Sequence, residues 1–439
     1  MKFLEHNKVF ETLREELESI YFEYRNKDRI ILLLNYWLYI IYLTNITYGH
    51  KGLEEFLKSK ETNPLRFSFS YEFNIPNENK LKKVSSGIFS LLLFRTLRSI
   101  VLFNKVLYLG GGYPTKKLTE KIYNVLSNKL VDNLPQNINV KTQSKINDLV
   151  RKYTKKLNIE CDKDLLFNNI PSIFFSNQYN FNLKETLHVK GSATAFFEFS
   201  GSENILLFDL DLFISGYQHG GGYFMYKDPE DSLFESFEMK MCNKFNSWGL
   251  SELTYHQSRF KKLDDSNNNK NERNIYWLEG GGQPSVYKFL TPFNYSITHN
   301  IANKLYIHEE LLETKHLIKN ITHPLRPDPV YEKIRFDIAD TARAENIIKV
   351  SDVVIFDQCD STMLHFCIEN NIPYLVVIDR SDLAMFSDAM NEWIDCLYSA
   401  ERLFFNDEKG KLHSQIININ NNETNFYNER LANFHKKFF

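Results

Sequence analysis

The chain has 439 residues, 43% of them hydrophobic, which is enough for two or three domains with sizeable cores. Its 53 Lys and Arg residues nearly balance 55 Asp and Glu, so no one-signed field exists to recruit DNA or RNA by phosphate neutralisation, and nucleic acid is excluded as an expected partner. Five cysteines, odd in number, scattered and never in a C-x-x-C pair, argue against a disulfide framework and a zinc site and for a reducing cytoplasm.

In chain order, residues 1 to about 60 read as helices, with charged and apolar residues alternating at helical spacing and no apolar core of a signal peptide. Two apolar stretches follow, Ile30–Leu43 and Ile88–Leu109. The first is shorter than the roughly 20 residues that span a bilayer, and the second carries Arg95, Arg98 and Lys105. Both read as buried core helices. The alternative is an aromatic face, with Trp37 among its residues, making peripheral contact with the inner face of the cell membrane.

From Lys105 the pattern changes to strand, glycine turn and helix ("KVLYLGGGYPTKKL"). Pro171–Asn177 and Asn204–Tyr223 have the continuous apolar character of strands buried on both faces. A helix is expected from Pro229, with Glu230 and Asp231 in its first turn, and Trp248 and Gly249 mark a return to the sheet. Asp264–Arg273 is polar and asparagine-rich, an exposed loop or linker. Beyond it "NIYWLEGGGQP" repeats strand and glycine loop. Then come a strand at Val353–Phe356, a helix at Ser361–Glu369 and a strand at Tyr374–Asp379.

This alternation predicts an α/β protein with two Rossmann-like parallel-sheet domains facing a cleft and a helical N-terminal extension. The expected divisions are 1–100, helical and packed on the acceptor domain; 101–262, the acceptor domain; 263–273, the linker; and 274–439, the donor domain with a C-terminal helix. Ligands in such sheets sit at the carboxyl ends of the strands.

Three places could carry chemistry. Asp360, Ser361 and Thr362 open a helix after a strand, which suits either a phosphate seat or an ordinary helix cap. His323 and Arg326 stand in "NITHPLRPDP", where three prolines stiffen the loop; they suit the charge of a departing pyrophosphate, or form a surface turn. In "GYQHGGGY", Gly220, Gly221 and Gly222 let backbone N–H groups approach a ligand beside His219. His219 is then a general base, a phosphate contact or a turn residue, with Glu238 as the base to be sought if His219 is not. Asp209 and Asp211 have D-x-D spacing within an expected strand, a weak basis for a metal site. None of the three glycine triplets forms G-x-G-x-x-G opening a helix, which disfavours dinucleotide chemistry.

The order "YQHGGGYFMY", "NSWGLSE", "THP" and "DSTMLHFCIENNIPYLV" resembles a family of bacterial surface-carbohydrate transferases with GT-B architecture. It is more distantly similar to the teichoic acid glycerophosphotransferases and capsule Kdo transferases, which use CDP- or CMP-activated donors. The resemblance covers roughly residues 172–379. It implies a glycosyltransferase that moves a sugar from a nucleotide-activated donor to a hydroxyl of a surface polysaccharide or lipid-linked glycan, without cofactor or catalytic metal. His219, with Gln218 and Tyr223 in the same loop, would face the acceptor. His323, Ser361 and Thr362 would hold the donor phosphate; the neighbouring Arg326 and Asp360, with Gly280, Gly281 and Gly282, are the further donor-side candidates read from the sequence. Two residues depart from the family pattern: Asn243 stands where Asp is expected, and His365 where Glu is usual. His365 either replaces that donor contact or is a core histidine. Polyol-phosphate transfer and a non-catalytic binding subunit are the alternatives.

Overall fold

A computed structural model describes residues 3–62, 105–109, 125–127, 131, 137–179, 186–192, 202–218, 222–227, 234–250, 255–256, 263, 273–279, 297–322, 333–340 and 344–439. The chain forms two compact units, one of Met1–Tyr217 with Ser236–Phe245 and one of Gln218–Glu235 with Asn246–Phe439. Residues 263–273, expected as a linker, fall within the span of the second unit. Both sheets are built from parallel ladders, so the chain is a mixed α/β protein.

The first unit begins with α1 (Phe3–Ile20) and α2 (Lys27–Thr62), the latter interrupted at Gly49, whose φ of +69° leaves the helical region. Lys27–Ile46 is long and apolar enough to cross a membrane, and 71% of its apolar window is buried inside the protein. Tyr36 there meets Phe237 edge to face and Tyr39 stacks on the same ring, which is how a core helix behaves. Helix α3 (Val140–Lys156) is capped by Asn139, whose side chain accepts from the N–H groups of Lys141 and Thr142; Asp162 caps α4 (Lys163–Asn168) in the same way.

A five-stranded sheet has the order β1-β2-β3-β4-β5, with β1 Val106–Leu109, β2 Leu187–Ser192 and β3 Leu212–Tyr217 in the first unit, followed by β4 Lys244–Ser247 and β5 Tyr255–His256. Gly191 lies in register with Leu109 on one side and Gly216 on the other. A Cβ at Gly191 would stand 2.5 Å from the Leu109 carbonyl oxygen, so β1 and β2 approach as they do only because that atom is missing. Gly191→Ala is expected to lower the stability of this unit by about 1–3 kcal/mol, the range for overpacking. An unchanged urea midpoint would show that the two strands can simply move apart.

Two expected strands are corrected. Ser172–Phe175 is a short 3-10 helix followed by a single antiparallel bridge between Ser176 and Ile138. Among the described residues of Asn204–Tyr223, only Leu212–Tyr217 is strand, and Ser202–Leu207 is again 3-10. The cause is on α2's N-terminal side. Asn26 donates through Nδ2 to the carbonyls of Leu206, Phe208 and Leu210, at 3.3, 3.0 and 3.3 Å, taking acceptors that a ladder would need. Asp209 and Asp211 therefore precede β3 instead of lying within it, and both pair with Arg25, at 3.6 and 3.8 Å. The expected helix from Pro229 is described only in part, as a π-helix at Phe234–Met239.

The second unit holds a six-stranded sheet in the order β11-β10-β9-β6-β7-β8. Its strands are β6 Ile275–Leu278, β7 Ile318–Ile321, β8 Asp337–Asp340, β9 Val353–Phe356, β10 Tyr374–Ile378 and β11 Leu403–Phe405. Counted from β6, this is the doubly wound order 3-2-1-4-5-6, which reverses between β6 and β9. The period of two assigns alternate residues to two cores. Tyr276, Leu278, Val354, Phe356, Tyr374, Val376 and Ile378 join α6 (Ala344–Ile347), α7 (Thr362–Glu369), α8 (Asp388–Ser399) and α10 (Glu429–Phe438) on one face. Ile275, Trp277, Val353, Ile355, Leu375 and Val377 join α5 (Ile297–Leu311) and α9 (Lys411–Asn420) on the other. Burial on both faces explains the uninterrupted apolar runs of these strands.

Candidate functional site

Strand order singles out one place. Among the described strands, the first sheet runs in sequence order without a reversal, whereas the second reverses at β6/β9, the kind of place at which doubly wound sheets bind ligands. At this edge Leu278 is in register with Ile321 on β7 and with Phe356 on β9. Each of these three strands leads directly into a stretch expected to hold the donor. β6 runs into Glu279 and Gly280, β7 into Thr322 and His323, and β9 into the segment ending at Asp360, Ser361 and Thr362. Glu279 N–H donates to the Ile321 carbonyl at 3.1 Å, which fixes the first two exits side by side.

Glu279 is the main residue that the sequence reading missed. It is 2% exposed, and Arg335 grips it with two parallel bonds, Nε to Oε1 at 2.5 Å and Nη2 to Oε2 at 2.9 Å. The fork neutralises a carboxylate that would otherwise repel a phosphate at this edge. Its one sequence signal is a charged residue closing a fully apolar strand just before glycines. Arg335 gave none, being 56 positions away.

A second set of bonds ties the remaining strand ends. Asn303 on α5 donates to the Asp357 carbonyl at 3.1 Å, and Asn406, just after β11, donates to Asn303 Oδ1 at 2.9 Å and Asp379 Oδ2 at 3.1 Å. Asp379 also accepts from the Ser381 N–H and hydroxyl. On the other side of β6, Asn320 Oδ1 accepts from Phe336 N–H at 2.9 Å and holds the approach to β8. The carboxyl edge is thus a fixed polar rim on an apolar sheet.

Ser361 is the N-cap of α7, its hydroxyl accepting from Met363 N–H at 3.3 Å, and Asp360, Ser361 and Thr362 are half-buried. The cap leaves the positive end of the helix beyond the carboxyl end of β9. Of the two readings of His365, its burial agrees with a core residue. It is 3% exposed, with its ring 5.6 Å from Trp248 and 5.3 Å from Phe439.

The acceptor-side loop is also corrected in part. Gln218 is 2% exposed, and its Oε1 accepts from Trp248 N–H at 2.9 Å, a structural clamp inside the second unit. Tyr223 is 1% exposed and Gly222 is buried, so neither faces an acceptor. The chain beyond them enters the core of the second unit, where Tyr226 pairs with Phe386 and Ser387 binds the carbonyls of Met225 and Phe224. Glu238 lies buried on the π-helix of the first unit. Gly110, Gly111, Gly112, His219, Gly220, Gly221, Gly280, Gly281, Gly282, His323 and Arg326 lie outside the described residues.

Asn243 has a structural task. Its Oδ1 accepts from Arg29 Nη2 at 2.6 Å and from Ile214 N–H at 2.8 Å, joining the start of α2 to β3. Burial pushes the Cys161 and Cys242 thiols up to about 11 and about 12, and raises those of Cys367 and Cys396 as well, so none of these four is a thiolate nucleophile near neutral pH. Comparison of the chain with protein-family models, curated proteins and solved structures finds no match.

Proposed function

We propose that the protein is a transferase of the GT-B type. It takes a sugar from a nucleotide-activated donor and delivers it to a hydroxyl of a surface polysaccharide or lipid-linked glycan at the inner face of the membrane. The observation that carries this reading is the exit of the Glu279–Gly280, Thr322–His323 and Asp360–Thr362 stretches from three adjacent strands at the reversal of a doubly wound sheet. In this reading the α7 N-terminus and His323 receive the donor phosphate, and the neutralised Glu279 borders it. His219 takes the proton of the attacking hydroxyl, a task that suits an imidazole near neutral pH. Asn243 and His365, the two departures from the family pattern, each have a structural role and so supply no argument for lost chemistry.

Titration of the protein with CMP, CDP, UDP and GDP tests the donor assignment. At least one should bind, and Ser361→Ala with Thr362→Ala should weaken it by about 1–3 kcal/mol, the range for charged groups left without hydrogen bonds. Unchanged affinity in the double variant would remove α7 from the site. A donor labelled in the sugar or in the phosphate then separates sugar transfer from polyol-phosphate transfer.

A further inference from the structure

The amino edge of the same six-stranded sheet, at the opposite ends of β10 and β11, bounds a separate cavity of about 530 Å³. Its lining includes Tyr374, Arg402, Phe426, Tyr427, His435 and Lys436 and, among the described residues, no aspartate or glutamate. The volume is that of an ordinary small-molecule site.

Arg402 is the unusual member. Its guanidinium lies 5.4 Å from the Tyr374 ring and 5.2 Å from the Phe426 ring, and Nη2 donates to the Phe426 carbonyl. Its Nε–H is shielded from solvent and has no hydrogen-bond partner. Burial without a carboxylate lowers its pKa, since rings and a carbonyl solvate a cation but do not neutralise it. Beside it, His435 Nε2 lies 2.9 Å from the Tyr374 hydroxyl and 3.4 Å from Trp393 Nε1. With both neighbours donating, the imidazole is kept neutral and serves as wall, while Lys436 adds a second positive charge to the lining. Tyr427, 72% exposed, supplies a flat apolar surface.

We propose that this cavity binds a small organic anion, a carboxylate or phosphate on a flat apolar body, whose charge pairs with Arg402 and whose body lies against Phe426 and Tyr427. A planar guanidinium that faces two rings and a carbonyl, with no carboxylate in the lining, is matched by a planar or tetrahedral oxyanion. Apolar walls beside the two positive groups favour an anion with an aromatic body over a bare ion. The site is independent of the donor crevice and stands or falls without it.

The test is titration of the full chain with benzoate, phenyl phosphate and the neutral benzamide, read by calorimetry and by the Nε–H resonance of Arg402. Benzoate or phenyl phosphate should saturate the site and shift that resonance, and benzamide should not. Arg402→Gln should weaken binding at least tenfold, and Lys436→Ala should weaken it several-fold in a protein of unchanged melting temperature. Ser361→Ala with Thr362→Ala should leave it unaltered. Failure of both anions to saturate, equal binding of benzamide, or anion affinity untouched by Lys436→Ala would each overturn the proposal. The Lys436 arm holds even where Arg402→Gln does not fold.

Discussion

Arg335→Leu is expected to cost the second unit about 3–5 kcal/mol, because it removes both arms of the guanidinium fork from the Glu279 carboxylate, of which the side chain is 1% exposed. Desolvating an unpaired carboxylate outweighs the packing of one leucine, so the loss should appear as a large fall in the urea midpoint followed by tryptophan fluorescence. Glu279→Leu in the same chain should recover most of it, since removing both charges leaves no orphan. A loss below about 1 kcal/mol in the single variant would mean that Glu279 reaches water and that the rim at β6 is open.

The second large effect is a dependence on pH. Burial, together with the Arg402 charge, lowers the His435 pKa to about 3 from its ordinary 6.5. Between these values the unfolded chain takes up a proton that the folded chain refuses. Stability is therefore complete above about pH 6.5 and is lost as the pH falls toward 3, by up to about 5 kcal/mol. Carboxylates contribute below about pH 5, so the diagnostic window is pH 6.5 to 5, where His435 alone should remove about 2 kcal/mol. His435→Gln, which keeps an acceptor for Tyr374 and cannot titrate, should flatten that window. An equal slope in the variant would assign the acid sensitivity to other groups.

The second unit was largely legible in the sequence, for a physical reason. Val353–Phe356, Tyr374–Ile378 and Ile275–Leu278 are buried on both faces and so consist of apolar residues without interruption, bounded by polar ones. Ser361 likewise announces the start of α7, because a hydroxyl before an apolar helical run has one common use. The first unit was less legible because its local structure is set from far away. Asn26 captures carbonyls 180, 182 and 184 residues further on and turns an apparent strand into 3-10 turns. The same limit hid the Glu279–Arg335 fork, and it disguised Gln218 and Tyr223, whose neighbouring glycines suggested an open loop.

The central claim is that a nucleotide occupies the crevice at β6/β9. A crystal structure of the protein soaked with CMP, CDP, UDP and GDP in turn tests it most directly. The account predicts nucleotide density over the carboxyl ends of β6 and β9, with a phosphate at the N-terminus of α7. Nucleotide bound elsewhere, or a crevice left without nucleotide while solution titration shows binding, would contradict it.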